Sequence, residues 1–488
     1  MNSVAQIPSL QQKQTGSALP APGSIPVRIR MKTLLADTCT PVSLYLRLRD
    51  RFPGAVLLES ADNAEGKNAR SFIALQPVAE LKEMNGRLQI EIPSCAVSAG
   101  LNAANDPAGQ LNAFSGIFRA EGDVPPQAVA GLVGYTAYDA VRFFENIQFK
   151  KRKEAAIPAL RYALYRTMIV FDPLHHSLHI VEQLLPGDES DTKIVEAAVA
   201  HRDVPAFRFT AAKEETASVT EEEFLSMAER GIAHCRRGDV FQLVLSRRFS
   251  RKFSGDEFNV YRALRAINPS PYLFFADYGD YRIFGSSPEA QLVVQDQRAI
   301  VHPIAGTFRR TGNAATDKML EKELLADPKE NAEHIMLVDL ARNDLARSAS
   351  GVTVEALREV HRYSHVIHLV SKVSAALKKE TSLFAVLAST FPAGTLSGAP
   401  KIRAMQLIDA LEPVARGFYG GCIGLVGLNG TMNQAIMIRS FLSKNGELVY
   451  QAGAGIVVSS IPRNELSEID NKLAALRKAI AMAEQIHN

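Results

Sequence analysis

The stretch of this chain that is most informative about its fold is Glu330-Asn-Ala-Glu-His-Ile-Met-Leu-Val-Asp-Leu-Ala-Arg-Asn-Asp344. Its pattern predicts a helix, and Glu330 and Glu333 lie three positions apart on one face of that helix. A second stretch, Gly394-Thr-Leu-Ser-Gly-Ala-Pro-Lys401, runs from small residues directly into another predicted helix. Helices that follow such turns are typical of mixed domains in which helices cover sheets.

Around these stretches, the second half of the chain alternates strands with helices. Thr220 followed by Glu223 is a capping-box signature and predicts a helix that runs to Arg237 and stops at Gly238. Periodicity predicts further helices at 315–325, 331–346, 382–388, 401–411 and 465–486, and strands at 281–284, 291–294, 420–428 and 448–458. The predicted fold class is α/β of the α+β type, built on sizeable sheets.

The first half is predicted to be mostly strand, with short β-rich runs between turn signals. Residues 1–26 are rich in Gln, Ser, Pro and Ala and are predicted to be a disordered leader rather than a signal peptide. We expect an N-terminal region at 27–185, a polar linker at 186–219 and a second region at 220–488.

Composition excludes several classes of protein. The 488 residues carry 55 Lys and Arg against 52 Asp and Glu, a formal charge of +3, with the signs interspersed. Nucleic-acid binding therefore has little electrostatic support. No apolar run reaches the roughly 18 residues of a membrane span. The four cysteines are scattered without a CxxC pair, which fits a reducing compartment and predicts a cytoplasmic protein.

Glycine-rich segments mark the places where a ligand could approach the backbone closely. They are 303–307, 391–401, 417–421 and 451–455. Bare N–H groups in such segments suit an anion, although for any one segment alone tight turns and strand packing are the better explanation.

Two pairs of carboxylates give a sharper signal. Glu465 and Glu468 repeat the spacing of Glu330 and Glu333 far along the chain. Like charges at this spacing repel, and a divalent cation would remove the conflict; Mg²⁺ commonly takes one or two carboxylates plus water. Two solvated helix faces are the alternative. His368, between apolar residues, has the pattern of a hydrogen-bonded core histidine. The residues alone thus indicate an enzyme that binds an anion and Mg²⁺, without naming its substrate.

Taken together and in this order, these segments resemble the chorismate-utilising enzymes, which include anthranilate, aminodeoxychorismate, isochorismate and salicylate synthases. The resemblance covers nearly the whole chain after the leader and is densest from Thr220 to Asn488. It implies one intertwined, two-part body of antiparallel sheets packed face to face and flanked by helices, with the active site between them.

The resemblance also implies the site residues. Mg²⁺ would be bound by Glu333 and Glu468, with Glu330 and Glu465 as supporting or water-mediated partners. The implied contacts to chorismate are Gly306, Thr307, Tyr419, Arg439, Gly453, Ala454 and Gly455.

The implied chemistry is attack on the chorismate ring followed by loss of the C4 hydroxyl. Glu289 matches the general acid that protonates this hydroxyl, and it needs a sheltered position to stay protonated. His368 matches the histidine associated with elimination of pyruvate. Thr395, in its glycine turn, and Gln242 are expected to line the same pocket.

Two positions distinguish between the related chorismate-utilising enzymes. Ala305 stands where aminodeoxychorismate synthases typically carry a nucleophilic Lys, and Gln242 stands where isochorismate and salicylate synthases carry a Lys that activates water. Both substitutions favour amination at C2, which gives anthranilate. The alternatives are an aminodeoxychorismate synthase that dispenses with the lysine, and a catalytically silent regulatory subunit that binds chorismate or tryptophan.

Two further segments resemble a tryptophan-inhibition site, which implies Ser60, Pro271, Tyr272 and Leu273 as contacts. The chain extends about 20 residues beyond its last motif, so we expect no amidotransferase domain in it. Ammonia is therefore expected from a separate glutamine amidotransferase subunit.

Overall fold

Long antiparallel strands form the frame on which the predicted site residues are placed. A computed structural model describes residues 14–16, 19–61, 70–102, 106–122, 124–125, 127–149, 157–201, 203–362, 366–379 and 381–486. Most of the predicted leader lies outside these ranges. Within the leader, the structure has a short strand at Gln14–Gly16 and the start of a long strand at Ile25.

The first half is mostly strand, as predicted. Its strands are β1 Gln14–Gly16, β2 Ile25–Leu35, β3 Val56–Glu59, β4 Ser71–Met84, β5 Arg87–Ile92, β6 Val97–Asn102, β7 Phe118–Glu121, β8 Gly131–Thr136, β9 Leu160–Asp172, β10 Ser177–Leu184, β11 Phe209–Ala211 and β12 Thr216–Ala217. Its helices are α1 Pro41–Leu48, α2 Pro107–Gly116 and α3 Thr192–Ala200.

The second half alternates helices and strands. Its helices are α4 Glu221–Arg236, α5 Phe258–Ile267, α6 Ala314–Ala326, α7 Pro328–Ala346, α8 Leu383–Thr390, α9 Lys401–Leu411 and α10 Pro462–Ala483. Its strands are β13 Gln242–Gly255, β14 Tyr272–Asp277, β15 Tyr281–Ser287, β16 Ala290–Gln295, β17 Arg298–Val301, β18 Ile304–Arg309, β19 Ala349–Arg362, β20 Val366–Leu377, β21 Gly398–Ala399, β22 Cys422–Gly427, β23 Met432–Ile436, β24 Ser440–Lys444 and β25 Glu447–Ile456.

Two series, or routes, of neighbouring hydrogen-bonded strands start from β4 and β9. One route runs β4–β3–β14–β15–β24–β25–β13. The other runs β9–β8–β22–β23–β16–β17–β20–β19, with β18 on the same edge of β20 as β17. The strand pairs of both routes are antiparallel, whereas β1–β6 and β2–β7 are parallel.

Alternation along the strands separates two hydrophobic cores. On β14, Phe274 and Ala276 lie in one core, whereas Leu273 and Phe275 lie in the other. The first core also takes residues of α2, α7 and α8, and the second takes residues of α4, α5, α9 and α10. Because side chains of a strand point alternately to its two faces, one strand can serve both cores. The predicted fold class, with antiparallel sheets flanked by helices, is confirmed.

The two predicted regions are interwoven in the structure. β3 of the first pairs with β14 of the second, and β8 of the first pairs with β22 of the second. The expected linker at 186–219 is not irregular throughout, because it contains α3, β11 and β12. Val195 and Ala198 of α3 are buried, so the polar composition of the segment concealed a short amphipathic helix.

Signals in the local sequence correctly predicted the ends of helix α4. Thr220 and Glu223 form the predicted capping box, α4 ends at Arg236, and Gly238 follows with φ +77°; an N-cap of this kind contributes about 1 kcal/mol. Among the described residues, no helix is long and apolar enough to cross a membrane. All four cysteines are free.

Candidate functional site

Four carboxylates on two helices form the acidic side of the candidate site. Glu330 and Glu333 lie on α7, and Glu465 and Glu468 lie on α10, as predicted. Burial raises the pKa of Glu330, and the charges of Glu333 and Glu468 raise it further. Burial likewise raises the pKa of Glu465, and the same two charges act on it. The two helices therefore bring carboxylates of α7 within electrostatic range of carboxylates of α10.

The donor set fits Mg²⁺ in its chemistry. Mg²⁺ prefers oxygen ligands and usually keeps several waters, with one or two protein carboxylates. Within the described ranges, no three His, Cys, Asp or Glu side chains are grouped as a metal cage. Glu333 and Glu468 supply carboxylate oxygens of the kind that Mg²⁺ prefers. Mutual repulsion between the helices is the feature of this structure that a cation would relieve.

Gln242 connects the carboxylates to the glycine-lined strand. Its Nε2 donates to Glu333 Oε1 at 2.9 Å. Gln242 is the first residue of β13. The neighbouring strand β25 carries Gly453, Ala454 and Gly455, which lie opposite residues further along β13. A Cβ on Gly455 would lie 2.4 Å from Gln242 Nε2. Glycine at 455 is thus what allows Gln242 to reach Glu333.

Lys472 is a member of the site that the sequence analysis missed. Its ammonium lies 2.7 Å from Glu468 Oε1 and donates to the carbonyl of Gly453 at 2.8 Å. Glu468 and Lys472 are spaced i, i+4 on α10, which is the spacing of helical ion pairs. That spacing could have drawn attention to Lys472, but its reach to Gly453 depends on the packing of α10 against β25.

Gly306 lies in a β-bulge that faces α7. The register of β18 against β20 shifts between Ala305 and Thr307, and Gly306 has φ +68°. A Cβ there would lie 3.2 Å from Glu330 Oε2 and 2.8 Å from Leu324. A positive φ and a close contact both require glycine, and bulges of this kind occur beside active sites.

His368 is buried and lies opposite Thr307 in the register of the strands. Its Nδ1 is 2.8 Å from the carbonyl oxygen of Gly306. Because a carbonyl only accepts, Nδ1 carries the proton and Nε2 carries the ring's lone pair. Burial lowers the pKa of His368 to about 4, so the imidazole is neutral at physiological pH.

Glu289 is a buried carboxyl that shares a hydrogen bond with Thr395. The Thr395 hydroxyl donates to its two oxygens at 3.2 and 3.3 Å. Burial raises the pKa of Glu289 to about 8, although Thr395, Arg439 and Lys472 lower it. A carboxyl that is protonated near neutral pH can act as a general acid. The predicted sheltered position of Glu289, beside Thr395, is therefore found.

Arg439 supplies a cation within electrostatic reach of Glu289. It has φ +49°, and its Nη1 donates to Asn268 Oδ1 at 3.5 Å. Burial lowers the pKa of Arg439, and Glu289 opposes that shift. A guanidinium held in this way can bind a carboxylate in a bidentate manner.

Tyr419 closes the side of the site next to Gly453. Its ring is buried, and a Cβ on Gly453 would lie 3.0 Å from the Tyr419 hydroxyl. Burial raises the pKa of Tyr419, so its hydroxyl stays protonated. A glycine strand with a phenol hydroxyl above it leaves the backbone open to a polar ligand.

The predicted site residues are therefore connected through contacts and charges. Gly306 adjoins Glu330, Glu333 is bound by Gln242, and Glu468 is bound by Lys472. The charge of Lys472 also reaches Glu289. An acidic end, a cationic end and glycine-lined backbone between them suit a small substrate with carboxylate groups.

Ser60 and the segment Pro271–Leu273 lie beside each other, at a second location apart from the carboxylates and the glycine-lined strand. β3 pairs with β14, with Leu273 opposite Glu59, and the amide of Ala61 donates to the carbonyl of Ser270 at 3.2 Å. Pro271 and Tyr272 are half-buried, whereas Leu273 is buried. The two segments thus adjoin, although Ser60 and Pro271 are 211 positions apart in the sequence.

Comparison with known proteins shows which proteins the chain is similar to. A model of the chorismate binding enzyme family matches residues 55–478. Anthranilate synthase component 1 of Thermus thermophilus is 38% identical over 465 residues, covering 94% of this chain and 99% of that protein. The protein of the same name from Aquifex aeolicus is 37% identical over 470 residues, covering 93% of this chain and 94% of that protein.

Solved structures agree with this result. Anthranilate synthase component I from Streptococcus pneumoniae has a TM-score of 0.74 and 34% identity, covering 84% of this chain and 93% of that one. The isochorismate synthase MenF of Escherichia coli has a TM-score of 0.72 and 18% identity, covering 95% of this chain and 96% of that one. The similarity to MenF shows a shared fold alone.

Proposed function

The chain belongs to the chorismate binding enzyme family, and on that premise we propose that it is the large, aminating subunit of an anthranilate synthase. It converts chorismate and ammonia to anthranilate and pyruvate, the first step of tryptophan biosynthesis, in the cytoplasm. The observation that carries the proposal is Gln242, whose amide donates to Glu333 at the centre of the site. An amide cannot deprotonate water, and Ala305 offers no nucleophile, so the site suits ammonia as the attacking group.

The two ends of the site bind the two carboxylates of chorismate. Glu333 and Glu468 would hold Mg²⁺, which would supply the positive charge that neutralises one carboxylate. Arg439, with N–H groups of the glycine-lined strand, binds the other. Gly306, Thr307 and Tyr419 then line the ring, and Glu330 and Glu465 support the metal ligands.

Glu289 drives departure of the C4 hydroxyl. Ammonia attacks C2 of the ring, and Glu289 gives its proton to the hydroxyl, which leaves as water. Thr395 holds the carboxyl oxygens in position for this transfer. The neutral His368 then suits the second step, because the lone pair on Nε2 can accept the proton lost from C2 as pyruvate is eliminated.

The ammonia comes from a partner. We infer a separate glutamine amidotransferase subunit, since the relatives are called component 1 of their enzyme. The purified chain should use ammonium salts but not glutamine. Adding the amidotransferase subunit should make glutamine a substrate.

A fluorescence assay tests the proposed activity. Purified chain with chorismate, Mg²⁺ and ammonium should form anthranilate, and omission of either Mg²⁺ or ammonium should abolish its fluorescence. Accumulation of aminodeoxychorismate instead would identify an aminodeoxychorismate synthase. Binding of chorismate or tryptophan without any turnover would identify a silent regulatory subunit.

Gly455→Ala tests the contact between Gln242 and Glu333. The added methyl would lie 2.4 Å from Gln242 Nε2 and should push the amide away from the carboxylate. A hydrogen bond to a charged group contributes about 1.5–3 kcal/mol, so kcat/KM for chorismate should fall roughly 10- to 100-fold. Gly100→Ala is the matched control, since nothing lies within 4 Å of its added methyl. Equal kcat/KM in the two variants would show that the contact does not matter.

We further propose that tryptophan inhibits the enzyme at the junction of β3 and β14, with Ser60, Pro271, Tyr272 and Leu273 as its contacts. Asn268, which precedes this segment, accepts a hydrogen bond from Arg439 at 3.5 Å and another from the Ser286 hydroxyl. A shift of the segment would therefore move a group that holds Arg439. This contact is a physical route from the regulatory site to the substrate carboxylate.

Ser60→Arg tests the inhibitor site. A long cation beside Pro271 should block tryptophan, so the concentration for half-inhibition should rise at least about tenfold while kcat changes less than about twofold. Ser94→Arg, at an exposed serine in the same half of the chain, should leave inhibition unchanged. Tryptophan inhibition that survives intact in Ser60→Arg would refute this location.

A further inference from the structure

A cavity adjoins Glu289, between β16, α7 and the turn that precedes α9. Its polar lining includes Glu289, Gln291, Asp344 and Thr395, and its walls include Leu337 and Leu340. About 30 Å³ is open to the centres of water molecules. A buried water needs about 10–15 Å³ on this measure and two to four polar partners. The cavity therefore has the size and the polar groups to hold water.

Gln291 presents an unused acceptor there. It is 2% exposed, and its Nε2 donates to the carbonyl of Thr390 at 3.0 Å. Its Oε1 has no hydrogen-bond partner among the described residues. The register of β16 against β23 shifts between Ala290 and Leu292, so Gln291 is the extra residue of a β-bulge. Bulges redirect side chains beside active sites, and a buried acceptor without a donor is costly.

Asp344, in the wall of the cavity, forms an ion pair with Lys401. Lys401 Nζ lies 2.6 Å from Asp344 Oδ2 and donates to Thr390 O at 3.0 Å. Asp344 is 8% exposed and Lys401 is 7% exposed. Asp344 ends the stretch Glu330–Asp344 and Lys401 ends the stretch Gly394–Lys401, and the proposed reaction gives neither a role. Only one oxygen of Asp344 is used by Lys401, so the other can accept from water.

We propose that this cavity holds the water chain through which Glu289 regains a proton in each turnover, with Gln291 Oε1 and Asp344 as its anchors. The inference rests on the proposed function, because it assigns the reprotonation of the acid in that reaction. Gln291 is a positioning residue: it holds the water and does not touch the substrate.

The proton balance of the reaction calls for such a route. Glu289 gives one proton to the departing hydroxyl and is left as a carboxylate. The attached nitrogen releases one proton to solvent, so solvent must return one proton to Glu289. A cavity water breaks an O–H bond toward Glu289 and takes a proton from the next water at Asp344, which solvent replenishes. The cavity that adjoins Glu289 supplies the path.

The test compares two glutamine variants of equal burial. Gln291→Met keeps the volume of the side chain but removes the acceptor. Gln434→Met is the matched control, because Gln434 on β23 is also buried, donates to a carbonyl and has an Oε1 without a partner among the described residues. Gln434 does not line the cavity. Both variants lose the same groups from the same core, so similar losses of stability are expected.

Two readouts are expected to separate the variants. In Gln291→Met, kcat should fall about 3- to 10-fold and the solvent deuterium isotope effect on kcat should rise, with KM for chorismate within about twofold of wild type. The infrared carbonyl band of protonated Glu289, assigned by its loss in Glu289→Gln, should shift to higher frequency, and the pKa of Glu289 should rise above about 8. Gln434→Met should leave all of these at wild-type values.

An unchanged Glu289 band and pKa in Gln291→Met, or equal shifts in both variants, would overturn the water site. An unchanged kcat and isotope effect in Gln291→Met would overturn its use as a proton route. The infrared titration needs no turnover. It therefore decides the water site even if wild-type protein forms no anthranilate, which would refute the proposed function separately.

Discussion

Glu289→Gln is expected to lower kcat for anthranilate formation roughly 100- to 10,000-fold, the range that a general acid contributes. Glutamine has the shape of the protonated carboxyl and can keep the contact with the Thr395 hydroxyl, but it cannot release a proton. Binding of chorismate should therefore change only a few-fold. Stopped-time assays of anthranilate, with KM measured in parallel, separate these two effects.

The pH dependence gives the same prediction an independent check. Burial raises the pKa of Glu289 to about 8, and the acid is active only when protonated. For wild type, kcat/KM should stay level up to about pH 8 and then fall tenfold per pH unit. Glu289→Gln should lack this decline. Glu182→Gln, which alters another buried carboxyl in the first half, should retain it. A full-rate Glu289→Gln enzyme would remove Glu289 from the reaction.

Glu333→Gln is expected to weaken Mg²⁺ binding by at least about 10- to 100-fold. The substitution removes one negative charge from the pair that would hold the metal, while its shape and its place on α7 are kept. Activity should be low at ordinary Mg²⁺ concentrations and should recover in part at high Mg²⁺. Calorimetric titration of the protein with Mg²⁺ and the Mg²⁺ dependence of the rate measure the same loss.

The metal prediction distinguishes the two proposed Mg²⁺ ligands from a supporting glutamate, and it has a control variant outside the site. Glu468→Gln should resemble Glu333→Gln, whereas Glu330→Gln should have a smaller effect because Glu330 supports the ligands. Glu323→Gln changes an exposed glutamate on the neighbouring helix α6 and should leave Mg²⁺ binding unchanged. Full activity of Glu333→Gln at low Mg²⁺ would refute the metal assignment.

Local features of this fold could be predicted from the sequence because they depend on neighbours in the chain. The helix predicted at 401–411 is found as Lys401–Leu411, and the capping box at Thr220 is formed. The Glu330–Glu333 spacing placed both carboxylates on one helix. Each of these depends on periodicity, capping or turn chemistry within about one helical turn.

Contacts between distant segments could not be predicted in this way. The hydrogen bond of Thr395 to Glu289, the reach of Lys472 to Gly453 and the Asp344–Lys401 pair all depend on how the sheets and helices pack. Resemblance supplied Glu289 and Thr395 as separate expectations. The i, i+4 spacing of Lys472 from Glu468 was present in the sequence, but nothing there indicated the reach of Lys472 to Gly453 or the cavity. The helix α3 was missed because polar residues flank it on both sides in the sequence, although six of its own nine residues are apolar.

The central claim is that this chain joins ammonia to C2 of chorismate. The direct test incubates the purified chain with chorismate, Mg²⁺ and ¹⁵N-ammonium and analyses the products by mass spectrometry and NMR. We predict anthranilate with one ¹⁵N on the ring carbon beside the carboxylate, and one pyruvate for each anthranilate. Nitrogen at C4, or isochorismate without any nitrogen, would contradict the account.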